Sequence, residues 1–150
     1  MIDFFFNANT EGENSGLAKL VVTDNGIGFD DANFERLKVF KDDTKGFNNR
    51  GSGRLQLLHS FSHVKYESTY LNNQGGTSLR QFTLSKGDTF LAHNSILQLE
   101  KEEPTESTEI KTRLSMYLLR ASSDIKFYNE RTIDDIKKAS PSSRTVTLYS

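Results

Sequence analysis

The residues most able to do chemistry stand in two short glycine-containing runs. The first is Asp24-Asn25-Gly26-Ile27-Gly28-Phe29. A carboxylate at the end of an apolar run can accept a hydrogen bond from the exocyclic amine of a base. The alternating glycines would let a flat ring approach the backbone with no Cβ in the way. The same residues also suit a tight turn from strand to helix, because Asn-Gly is turn chemistry. They do not suit a calcium loop. Gly26 and Gly28 stand where such a loop needs ligands, and Phe29 stands where it needs its glycine.

The second run is Gly46-Phe47-Asn48-Asn49-Arg50-Gly51-Ser52-Gly53-Arg54. Backbone N–H groups at a glycine-rich helix start attract phosphate oxygens. Lys45, Arg50 and Arg54 add charge of the matching sign. A flexible loop that caps a helix fits this stretch equally well. Two familiar phosphate motifs fail: Gly46 and Gly51 have the spacing of a P-loop, but Ser52 stands in place of its lysine. Gln56 stands in place of the third glycine of a dinucleotide fingerprint.

Other reactive side chains carry less. His59 and His63 are four apart on an expected helix, yet Ser60 replaces the glutamate of a zincin and no third ligand is evident. His93 has no evident partner. Ser52 lacks the spacing of a nucleophile elbow.

These runs need strands and helices to hold them. Ile2 to Phe6 and Leu17 to Thr23 read as strands, separated by turn residues over 7–15. Asp30 or Asp31 can cap a helix marked by Phe34, Leu37 and Phe40. Lys41 to Arg50 reads as a loop, and Leu55, Leu58 and Phe61 mark a helix beginning after the glycines. Val64 to Tyr70 and Leu79 to Leu84 read as a hairpin around Asn72–Gly76. Tyr66, Tyr70 and Phe82 then serve sheet packing rather than base stacking. A short strand is expected at Ile96 to Leu99, followed by Glu100–Pro104 as a solvated linker. Ile110 to Leu119 and Val146 to Tyr149 read as strands, with a helix over Ile133–Lys138 between them. This order argues for an α+β fold, a two-layer sandwich with a mainly antiparallel sheet.

Composition narrows the classes. The 150 residues are 35% hydrophobic and 26% charged, with a formal net charge of −1, which makes no electrostatic case for nucleic-acid or membrane binding. There is no cysteine, which excludes disulfides, thiol chemistry and Cys-ligated metals. No apolar run approaches the ~18 residues of a membrane helix. The N-terminus does not read as a signal peptide, so a cytoplasmic setting is expected.

Together and in this order, the two glycine runs resemble the GHKL ATPases: gyrase, heat-shock chaperone, histidine kinase and MutL, the Bergerat fold. The family's Asp-x-Gly-x-Gly motif matches Asp24-Asn25-Gly26-Ile27-Gly28. Its second glycine box matches Gly51-Ser52-Gly53-Arg54-Leu55. The wording is most similar to bacterial heat-shock-chaperone-like proteins and MORC-type members. The resemblance implies an ATP-binding domain over 1–120, with 121–150 as an extension of the same domain. It implies that Asp24 binds the adenine amino group, that Ile27 touches the base, and that Gly26 and Gly28 admit it. Gly51, Ser52 and Gly53 would offer N–H groups to the phosphates, with Lys45 and Arg54 adding charge and 41–50 forming the lid. The family's late-strand Gly-Thr pair is expected at Ser107-Thr108, which makes Thr108 part of the water network at adenine.

The family also carries Glu-x-x-x-Asn on a helix ahead of these strands, where the Glu is general base and the Asn holds Mg²⁺. Met1 to Phe6 resembles the strand that follows that helix, and Asn7 and Asn9 come too late to replace it. The chain is therefore expected to be a fragment, with Mg²⁺ and hydrolysis belonging to the full-length protein and no catalytic or metal residue named here. The alternatives are a degenerate pseudo-ATPase interaction module and a sensor histidine kinase catalytic domain. In the family, nucleotide binding drives dimerisation or moves a protein partner.

Overall fold

Alternation of apolar and polar residues decides most of the strands, and two short helices cover their apolar side. The structure is a computed structural model that describes residues 1–8, 14–38, 53–120, 125–126, 129–130, 134–135 and 144–149. The elements are β1 (Ile2–Ala8), β2 (Asn14–Asp24), α1 (Asp31–Lys38), α2 (Gly53–Ser60), β3 (Phe61–Leu71), β4 (Thr77–Ser85), α3 (Asp88–Ala92), β5 (Leu97–Thr105), β6 (Lys111–Leu119) and β7 (Arg144–Tyr149). The fold is α+β, in two layers.

Among the described residues seven strands form one sheet in the order β5-β4-β3-β6-β2-β1-β7. Every neighbouring pair is antiparallel except β1 with β7, which is parallel. Residues directly opposite in a ladder share a face, so the register lines side chains into rows across the sheet. Phe4, Leu20, Met116, Val64, Leu84 and Leu97 form one row. Ile2, Val22, Leu114, Tyr66, Phe82 and Leu99 form the next. Phe34 and Leu37 of α1 and Leu57 and Leu58 of α2 pack onto these rows and complete the main core. The Tyr66 and Phe82 rings stack at 4.6 Å, and Phe29 meets both edge-on. Losing a ring such as Phe82, which is fully buried, costs about 3–5 kcal/mol.

α1 starts at Asp30, whose Oδ1 accepts the Asn33 N–H at 2.7 Å and whose carbonyl accepts the Phe34 N–H at 2.8 Å. Asp30 is thus the cap, and Asp31 in the first turn is left for another partner. The helix expected to reach Phe61 ends at Ser60, and Phe61 opens β3. His59 and His63 therefore sit on different elements, and their helical spacing dissolves. α3 and the parallel placement of β7 are additions to the sequence reading. Phe40 and the loop over 41–50 lie outside the described residues. Of Ile133–Lys138, Asp134 and Asp135 are described, and they are helical.

The acidic stretch Glu100–Pro104 is not a linker but the middle of edge strand β5. Charged side chains and a proline suit an edge, where one side of the ladder is unpaired and a missing N–H costs nothing. A bulge places Phe82 opposite Leu99 and Gln81 opposite Lys101, with Glu100 as the extra residue. Glu100 accepts a hydrogen bond from Thr83 and pairs with Lys65 at 3.4 Å. No helix among the described residues is long and apolar enough to cross a membrane.

Leu118 is 66% exposed and adopts φ +58° near the end of β6. The left-handed region costs an L-residue of this kind about 1–2 kcal/mol, and asparagine tolerates it better. Leu118→Asn is expected to hold or raise the thermal unfolding midpoint followed by circular dichroism, by up to about 1 kcal/mol of stability. A loss of more than about 1 kcal/mol would show that packing of the leucine outweighs its backbone strain.

Candidate functional site

A third row crosses the same sheet face beside the two apolar ones, and it is polar. Asp24 lies opposite Thr112, Thr112 opposite Ser68, Ser68 opposite Arg80, and Arg80 opposite Glu102. It spans five strands. Asp24 at its end is exposed, while Thr112, Ser68 and Arg80 are buried. Buried polar atoms must find partners, so the row is knitted together.

The Ser68 and Thr112 hydroxyls are 2.9 Å apart. The Phe29 N–H donates to Ser68 Oγ at 2.8 Å. Of the two hydroxyl hydrogens, one lies between the pair and the other is used by no described residue. A buried hydroxyl pair with a spare hydrogen therefore stands directly cross-strand from an exposed carboxylate. The Asp24 carboxylate makes no hydrogen bond or ion pair with another described residue. Its carboxylate lies over Gly26, where a Cβ would come within 2.8 Å of Oδ2. Ile27 beside it is 73% exposed. Acceptor, hydroxyls and apolar side chain together suit a flat heterocycle bearing an amino group.

Arg80 is the anchor of the row's other half. It is 3% exposed, with its guanidinium 4.6 Å from the Phe34 ring and 4.7 Å from the Tyr70 ring. Nε and Nη2 grip the Glu102 carboxylate at 3.3 and 2.6 Å, Nη2 also meets Asp31 Oδ1 at 2.6 Å, and Nη1 donates to the Phe29 carbonyl at 2.8 Å. Tyr70 Oη donates to Glu102 at 3.0 Å. Asn73, in the β3–β4 turn, donates to Asp31 Oδ2 at 3.2 Å. Burial opposes the charge on Arg80, but the bonds to Glu102 and Asp31 outweigh it and hold the group charged.

Gly28 joins the loop to the sheet. Its φ is +79°, and a Cβ there would stand 2.7 Å from the Thr69 carbonyl and 3.0 Å from Ser68 Oγ and Tyr70 Cβ. The second glycine of the motif thus serves close approach of the loop to β3. Gly53 opens α2, and Arg54 lies in its first turn. Lys45, Gly51 and Ser52 fall outside the described residues. Thr108 is exposed in the segment between β5 and β6 and is not a member of the polar row, whereas Thr112 occupies the position opposite Asp24. Sequence reasoning missed Thr112, Ser68 and Arg80. The available signal was a polar residue at an inward position of an apolar strand: Val64, Tyr66, Ser68, Tyr70 and Ser78, Arg80, Phe82, Leu84. Among the described residues no group of three His, Asp or Glu side chains could hold a metal ion.

Gly28 and Gly75 share nearly the same φ, +79° and +81°, but a Cβ at Gly75 meets open space. Gly75→Ala is expected to cost about 1 kcal/mol, the backbone strain alone. Gly28→Ala adds a collision with main chain and is expected to cost about 2 kcal/mol more. Paired urea titrations measure the difference. The Arg80 bond, against the pull of burial and with help from Tyr70, holds the Glu102 carboxyl below its usual range. Glu102 therefore stabilises the fold above its unfolded value of about 4.3, and that contribution fades as pH falls through the lower folded value. Glu102→Gln should lower the thermal midpoint at neutral pH and flatten its acid side. Parallel curves for the two proteins would show that the carboxylate contributes nothing.

No family model matches this sequence, and no curated protein does. Solved structures do: the ATPase region of Saccharomyces cerevisiae topoisomerase II is similar at 15% identity with a TM-score of 0.49. The same region bound to ICRF-187 (dexrazoxane) is similar at 15% identity with a TM-score of 0.48. In both, the match covers 98% of this chain and 42% of the other, so the chain spans about two fifths of the length of those structures.

Proposed function

We propose that this chain is a GHKL-type ATP-binding domain, formed by residues 1–150 together, with adenine seated at the Asp24 end of the polar row. The observation that carries the reading is the cross-strand placement of the exposed Asp24 carboxylate beside the buried Thr112–Ser68 hydroxyl pair, under the loop that holds Ile27. Asp24 accepts from the adenine amino group, since a carboxylate is an acceptor only. The Thr112–Ser68 pair supplies the spare hydroxyl hydrogen for a water or ring nitrogen at the same edge. Ile27 covers one face of the base. Thr112 takes the place that the motif resemblance had put at Thr108. Gly53 and Arg54, at the start of α2, with Lys45, Gly51 and Ser52, are the phosphate side of the same proposal, supported by the glycine box at the start of a helix. The bound species is ATP, with Mg²⁺ on its phosphates. Hydrolysis is a property proposed for the full-length protein.

Calorimetry with ATP and ADP, with and without Mg²⁺, tests this. The intact chain is expected to bind. Asp24→Asn turns an acceptor toward a donor and should weaken binding by about tenfold to a hundredfold, the worth of a charge-assisted hydrogen bond. Thr112→Val keeps the shape and removes the hydroxyl, and should weaken binding by about fivefold to tenfold. A folded chain that binds neither nucleotide, or an Asp24→Asn variant that binds as tightly, refutes the reading.

A further inference from the structure

The polar row has two ends, and only the Asp24 end faces a ligand in the reading above. Toward the other end, the buried Arg80 charge is paired with the exposed Glu102 carboxylate. The hydrogen bonds of Arg80 nevertheless run to the same loop. The peptide of Phe29 is held from both sides: its N–H by Ser68 at 2.8 Å and its carbonyl by Arg80 at 2.8 Å. Two residues further on, Arg80 holds Asp31 at 2.6 Å. Between these fixed points and the end of β2 lie only Asn25, Gly26, Ile27 and Gly28. Two of the four are glycines, which by themselves give the loop wide conformational freedom. Fixing Phe29 and Asp31 removes that freedom.

We propose that Arg80 is a positioning residue of the nucleotide site: by clamping the Phe29 carbonyl and the Asp31 carboxylate, it sets the path of Gly26–Gly28 and so the placement of Ile27 against the base that Asp24, held in β2, accepts from. This role rests on the ATP-binding reading. It differs from a purely structural role in its reach. A buried ion pair that served stability alone would change the unfolding midpoint and leave a folded site intact. A clamp changes the loop within the folded state. Lysine keeps the charge but carries one nitrogen in place of a planar fork, so it cannot reach Phe29, Asp31 and Glu102 together.

The test compares the full chain with Arg80→Lys and with Leu84→Val, a core change in an apolar row away from the loop. Three quantities are read: the thermal midpoint, amide hydrogen exchange at Ile27, Gly28, Phe29 and Asp30 without nucleotide, and the ATP dissociation constant. Arg80→Lys is expected to speed exchange at those four amides selectively, with the amides of β3 and β6 unchanged. It should weaken ATP binding by about tenfold. Leu84→Val should lower the midpoint and leave both other readings where they are. Wild-type exchange rates in Arg80→Lys would overturn the clamp. Faster loop exchange with undiminished ATP affinity would overturn its bearing on the nucleotide. Absence of ATP binding by the unaltered chain defeats the ATP-binding reading itself, and the exchange data still decide whether Arg80 holds the loop. If Arg80→Lys fails to fold, Asp31→Asn, which breaks one arm of the clamp, is read in the same three ways with a smaller expected change.

Discussion

A buried guanidinium is the constraint around which one half of this domain is arranged. Taking a charge out of water is unfavourable by several kcal/mol unless it is paired and its donors are satisfied. Arg80 meets that requirement with four hydrogen bonds drawn from three separate parts of the chain. Glu102 comes from the edge strand, Asp31 from the first turn of α1, and the Phe29 carbonyl from the loop after β2. Each has to be where it is for the charge to be tolerated. The bulge at Glu100 belongs to the same arrangement: Leu99 and Glu102 lie on one face although three residues apart, which an unbroken strand does not allow. Without that extra residue, Glu102 would point away from Arg80.

The sheet face beneath the helices is divided into apolar rows and a polar one. Two apolar rows, with Phe34, Leu37 and Leu58 laid across them, hold the layers together. The polar row beside them contributes less to cohesion and more to placement. Two of its members fix one loop, Ser68 through the Phe29 N–H and Arg80 through the Phe29 carbonyl, and Gly28 of that loop lies in close contact with β3. What no other described residue uses is at one end, the Asp24 carboxylate and a hydroxyl hydrogen of the Thr112–Ser68 pair. The adenine seat proposed above rests on what the row leaves over.

Much of the scaffold was legible in the chain. The strands near both termini, the hairpin around Asn72–Gly76 and the helix of Phe34 and Leu37 follow from local pattern, because side-chain period and turn residues are local properties. Glu100–Pro104 was misread because its charges describe solvent exposure equally well in a loop and on a strand edge. His59 and His63 looked like one helix face because no local signal marks the switch from helix to strand between Ser60 and Phe61.

The sequence by itself determined most of the elements, the α+β class and the Asp24–Phe29 loop with its glycines. Tertiary structure alone decided which residues stand together. That Thr112 rather than Thr108 faces Asp24, that Ser68 lies behind it, and that Arg80 reaches Phe29 are facts of register between strands as many as 88 positions apart, as for Asp24 and Thr112. Register is settled by how whole apolar rows align under the helices. A slip of one residue would turn every side chain of a strand to the opposite face, and no short stretch of chain contains that information.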